Sequence, residues 1–126
     1  MTGYVVIFVY GSLLKGEPNH RLLLSAEYLG PGRTPPSYRL MDLGPYPGLL
    51  PGGATAVAGE VYRGQESLIG TLDALEEHPD VYIRTAIRLE DGREAWTYLL
   101  RRAAPRNRPE IQSGAWRAYR MQRARA

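Results

Sequence analysis

Hydrophobic and polar positions alternate along the chain with two different periods. Val5–Val9 is an unbroken apolar run of five residues, three of them valine, and predicts a buried strand. Ala56–Arg63 alternates and predicts a second strand. Val81–Leu89 and Glu94–Leu100 predict two more, joined at Asp91-Gly92, a strong hairpin turn. Glu27–Gly30 and Tyr38–Met41 are shorter strand candidates, separated by the Pro/Gly cluster Pro31–Pro36. The helical period appears in Ser67–Glu77. There Leu68, Ile69, Leu72 and Leu75 fill one arc at roughly 100° per residue. His78-Pro79 ends that helix, because a residue before proline avoids the α region. Asn19–Leu24 predicts a short helix. Gly44–Gly53, with three prolines and four glycines, predicts a loop. From Arg101 onward, Pro105, Pro109 and many arginines suggest an extended tail, with Trp116 and Tyr119 able to dock part of it.

These elements predict an α+β fold of one domain, 1–104, followed by an Arg-rich tail, 105–126. The strands at 5–10, 57–62, 82–89 and 94–100 are expected in one sheet. A length of 126 residues and 44% hydrophobic content suit a single domain with a real core. The formal net charge of +3 conceals an asymmetry. Residues 1–100 carry eight basic and twelve acidic side chains, net −4, whereas residues 101–126 carry eight arginines and one acid, net +7. The body therefore gives no electrostatic reason to expect nucleic acid. The chain has no cysteine, which excludes disulfides, thiolate metal sites and cysteine nucleophiles. No basic segment precedes Val5–Val9 and no apolar run is long enough to span a bilayer, so the expectation is a cytoplasmic protein with no membrane contact.

Two stretches carry candidate chemistry. Tyr10-Gly11-Ser12-Leu13 follows the first strand, and a glycine turn between strand and helix can aim several backbone N–H groups at one point, suiting a carboxylate or an oxyanion. The other reading is that Gly11 only turns the chain. The second stretch is the helix end. The helical wheel puts Glu76 between Leu72 and Ile69, inside the apolar arc, and Glu77 on the opposite side. Burial raises a carboxyl pKa and makes a better general base near neutrality. Two alternatives stand beside that reading: Glu76 is held by Arg84 or backbone N–H groups, or the helix ends early and Glu76 is exposed. Ser12 has no G-x-S-x-G context and reads as a turn or hydrogen-bonding residue. His20 and His78 lack metal-ligand spacing, so no metal is expected. Glu60 is expected to pair with an arginine across the sheet, the alternative being that it lines a pocket. Tyr82, Trp96 and Tyr98 read as core or sheet-face residues, with Tyr46, Tyr82 and Tyr98 as candidate pocket walls.

Five segments occur in order: Tyr10-Gly11-Ser12-Leu13, Tyr46-Pro47-Gly48-Leu49, Val57–Tyr62, Leu72-Asp73-Ala74-Leu75-Glu76 and Tyr82-Ile83-Arg84. Together they resemble the γ-glutamylcyclotransferase-like family, which includes γ-glutamylamine cyclotransferases and AIG2-like proteins. The resemblance covers about Val6 to Leu100. It implies a small mixed β-barrel with flanking short helices. It also implies substrate binding at Tyr10, Gly11, Ser12 and Leu13, and Glu76 as general base. The implied reaction is attack of a γ-glutamyl substrate's α-amine on its own γ-amide, releasing 5-oxoproline without metal or cofactor. The partner is then a small γ-glutamyl amide or peptide. Many members carry glycine after this glutamate, where Glu77 stands here. Because the motifs end by Leu100, residues beyond about 104 are expected to be dispensable. Two other readings remain: a module of the same fold that binds a small ligand without turnover, and an RNA- or anion-binding protein acting through its tail.

Overall fold

The computed structural model describes residues 3–103 and 106–125. Its principal sheet has the order β2-β5-β1-β7-β6. The strands are β1 (Tyr4–Val9), β2 (Glu27–Arg33), β5 (Ala58–Gln65), β6 (Tyr82–Arg88) and β7 (Glu94–Leu100). β1 pairs antiparallel with β5, Tyr4 opposite Gln65 through Val9 opposite Glu60, and parallel with β7 at Ile7 and Trp96. β6 and β7 form the hairpin around Asp91-Gly92, with Gly92 at φ 94°. The central place of β1 explains its unbroken apolar run, since Ile7, Phe8 and Val9 are all buried.

Three expectations are corrected. First, the fold is mixed α+β, but the sheet is not a barrel: it ends on β2 and β6, which do not pair with each other. Second, Gly44–Gly53 is not all loop. β3 (Tyr38–Asp42) pairs antiparallel with β4 (Pro47–Pro51) in a separate two-stranded sheet. Proline is tolerated at a strand's ends and on edges, so Pro47 and Pro51 bound the strand rather than forbid it. Gly48 packs against Leu100, where a Cβ would stand 3.2 Å from Leu100 Cδ2. Third, the C-terminal region is not extended. Pro109 and Ile111 run beside β3, with Asp42 N–H donating to Pro109 O at 2.9 Å and Ile111 N–H to Leu40 O at 2.7 Å. Beyond them comes α2 (Trp116–Arg125).

α2 docks on the body through one face. Trp116 is 1% exposed, and its Nε1 donates to Glu17 Oε1 at 3.2 Å. The Glu17 side chain is itself only 3% exposed and is paired with Arg117 and Arg120. Asp42, at 5% side-chain exposure, pairs with Arg123 and accepts from Tyr119 Oη at 2.7 Å. The acidic body and basic tail therefore neutralise each other where they meet. Tyr119, Gly44 and Arg123 hold the Asp42 carboxyl below its ordinary range against the opposing effect of its burial. No helix among the described residues is long and apolar enough to cross a membrane.

Candidate active site

The helix α1 (Ser67–Leu75) buries Leu68 and Leu72. It ends two residues before Glu77, the end that the sequence predicts. His78 N–H donates to Asp73 O at 2.9 Å and Glu77 N–H to Ala74 O at 3.4 Å. This is the Schellman pattern, in which the residue after the cap is left-handed and usually glycine. Glu77 fills that position at φ 52°. A glycine there, which the family resemblance implies, would answer the same backbone demand. Glu76 is the capping residue and keeps right-handed helical geometry, so the wheel still orients it.

A cavity of about 170 Å³ opens between the end of α1, the turn after β1, the start of β4 and the strands β6 and β7. Its lining includes Tyr10, Gly11, Ser12, Leu13, Tyr46, Glu76, Tyr82 and Tyr98, which are all the candidate residues from the sequence. Asn19 and Glu77 also line it. Glu77 is exposed at this rim, not on the far side of the helix, because the left-handed residue swings out of the helical path.

The turn leaves its donors free. Gly11 O accepts from Leu14 N–H at 3.0 Å, Ser12 O from Asn19 N–H at 2.9 Å, and Leu13 O from His20 Nδ1 at 2.9 Å. Among the described residues, the N–H groups of Gly11, Ser12 and Leu13 donate to nothing. Three carbonyls are engaged and three amides are available, an arrangement suited to an anion. Gly11 is required for a reason other than its backbone conformation. A Cβ there would stand 2.7 Å from Pro47 Cγ, so a side chain would force β4 away from the turn. Asn19, which sequence reasoning missed, steadies the turn by donating from Nδ2 to Ser12 Oγ at 3.0 Å. Its seven-residue separation from Ser12 has no local period that would reveal the contact.

The wall tyrosines have committed hydroxyls. Tyr10 Oη donates to Tyr98 O at 2.7 Å, Tyr82 Oη to Pro47 O at 2.9 Å, and Tyr98 Oη to Asp73 Oδ1 at 2.7 Å. Burial raises the pKa of all three, and the nearby Glu76 charge adds to each. They are poorly disposed to supply a proton. Tyr46 is exposed at the rim. Glu76 is different. It is half-buried, its carboxylate has no hydrogen-bond partner among the described residues, and burial pushes its pKa up to about 7. Arg84, the alternative partner, is paired with Asp73 instead. Among the described residues Glu60 takes no arginine; its Oε1 accepts from the Lys15 backbone N–H at 3.0 Å and Tyr62 Oη at 2.9 Å. No three described His, Asp or Glu side chains cluster as metal ligands would.

The family model for γ-glutamyl cyclotransferase, AIG2-like proteins matches residues 7–118. The chain belongs to that family. The match passes Leu100, where the sequence motifs end, and takes in Trp116. A Vibrio cholerae protein, provisionally named a γ-glutamylcyclotransferase, is 42% identical over 88% of this chain and 94% of its own. The human γ-glutamylaminecyclotransferase is 40% identical, over 68% of this chain and 61% of its own. The crystal structure of a mouse AIG2-like protein superposes with a TM-score of 0.78 at 33% identity, covering 87% of each chain.

Proposed function

We propose that the protein is a cyclotransferase that releases 5-oxoproline from γ-glutamyl amides, with Glu76 as general base. The observation that carries this reading is an unpaired carboxyl near pKa 7 sharing one cavity with three free backbone amides. A group with that pKa is substantially ionised at neutral pH yet still able to return a proton.

In the proposed reaction Glu76 takes a proton from the substrate's α-ammonium. The freed amine attacks the substrate's own γ-carbonyl carbon, closing a five-membered ring. The carbonyl oxygen becomes an oxyanion, met by the amides of Gly11 to Leu13, where fixed donors stabilise developing charge. Glu76 then passes its proton to the amide nitrogen, and the bond between the γ-carbon and that nitrogen breaks. The ring nitrogen loses its second proton and the departing amine takes one up from water. The products are 5-oxoproline and an ammonium. Because nucleophile and electrophile lie in one molecule, holding the folded-back conformer supplies much of the rate.

The test is a screen of γ-glutamyl amines and dipeptides for 5-oxoproline release, followed by a pH profile on the best substrate. Release with kcat rising through an acid limb near pH 7 is expected. Binding without release across the panel would replace this reading with a ligand-binding module.

A further inference from the structure

Glu76 has no direct partner among the described residues, so its place depends on the backbone that carries it. Asp73, one turn earlier on α1, grips both strands of the adjacent hairpin. Its Oδ1 accepts from Tyr98 Oη on β7 at 2.7 Å, and its Oδ2 pairs with Arg84 on β6. Arg84 closes the ring: its backbone N–H donates to His78 Nδ1 at 3.0 Å, and the His78 N–H returns to Asp73 O at 2.9 Å. Arg84 is further fixed by the face of Trp96, 5.3 Å from the ring centroid. The four residues Ala74, Leu75, Glu76 and Glu77 are thus enclosed between two points of one clamp, Asp73 and His78. Tyr98 belongs to both the clamp and the cavity wall.

We propose that Asp73 is the positioning residue for Glu76, fixing the end of α1 on β6 and β7 so that the Glu76 carboxylate stays half-buried against the cavity wall. This inference rests on the cyclotransferase reading for its catalytic meaning, but not for its physical content. The surface of α1 has other contacts, through Leu68 and Leu72, that hold the helix as a whole. The clamp acts on its last turn. Loosening it exposes Glu76 further and weakens the desolvation that raises the carboxyl.

The experiment uses two variants that keep the net charge, so that a lost neighbouring charge is not mistaken for lost position: Tyr98→Phe and the double substitution Asp73→Asn with Arg84→Gln. The first reading is the titration of the Glu76 side-chain carboxyl by carbon NMR in the full-length protein without substrate. Its midpoint is expected to fall from about 7 toward the ordinary carboxylate range in both variants, further in the double one. The second is kinetic: kcat falls about 10- to 100-fold, as misplacement of a reacting group does, with KM within about threefold. A Glu76 titration unchanged in folded Tyr98→Phe overturns the proposal. If the double variant does not fold, Tyr98→Phe decides alone. If the wild-type chain turns over no γ-glutamyl amide, the catalytic reading has failed and the NMR midpoint still decides whether Asp73 positions Glu76.

Discussion

Glu76→Gln is expected to lower kcat by about 10²- to 10⁴-fold with little change in substrate affinity, because a general base contributes about that much and the turn amides do the holding. The amide keeps the size of the carboxyl and cannot take the proton. Glu77→Gln, at the exposed rim, is expected to leave the rate nearly unchanged and stability within about 0.5 kcal/mol. The same residue predicts a stability effect with a definite sign. The Glu76 pKa near 7 lies above the ordinary glutamate value of 4.5, so folding favours the protonated form. That contribution is fully present below about pH 4.5 and is lost as pH rises through 7. Glu76→Gln cannot ionise, so at pH 8 it is expected to be more stable than the parent by about 1–3 kcal/mol, the gap closing at pH 4. Urea titrations at the two pH values read the difference. Equal stability at pH 8 together with undiminished kcat would remove Glu76 from the mechanism.

Trp116→Ala is expected to cost about 3–5 kcal/mol, the range for truncating a buried aromatic side chain. For a chain of this size that lowers Tm by roughly 10 °C or more. Deleting residues 105–126 goes further. It removes Trp116 and strips the cations from Glu17 and Asp42, whose side chains are 3% and 5% exposed. Breaking a buried ion pair by removing one partner costs about 3–5 kcal/mol by itself. The truncated chain is expected to lack a cooperative thermal transition, contrary to the dispensable tail that the motifs alone imply. A truncated chain melting within a few degrees of the parent would show that α2 is an ornament.

The parts of this protein legible in its sequence are those whose pattern is local. β1 announces itself by an unbroken apolar run, the β6–β7 hairpin by Asp91-Gly92, and α1 by its leucines. Glu76 stands out because the wheel needs only its own helix. What stayed hidden depends on distant chain. β4 is written in proline and glycine, and its strand conformation comes from pairing with β3 and from Leu100 beside Gly48. The contact face of α2 is present at helical spacing, Trp116, Tyr119, Arg120 and Arg123. Two of those four are arginines, which read as solvent-facing until Glu17 and Asp42 arrive from some 80 to 100 residues away. The clamp at Asp73 is half legible: Arg84 looked like a partner for Glu76, and the nearer claim of Asp73 appears only once β6 is laid beside α1.

The docking of α2 also sets an order in time. The helix that supplies counter-ions to Glu17 and Asp42 follows the strands in the chain, so a nascent chain cannot complete this fold while α2 is still inside the ribosome. Domains generally fold as units as they emerge, and here the unit closes only once α2 has emerged. Ribosome-bound chains stalled with α2 still in the exit tunnel are expected to be cut readily by protease, and chains from which α2 has emerged to resist it. Protection before α2 emerges would mean that the body folds without its counter-ions.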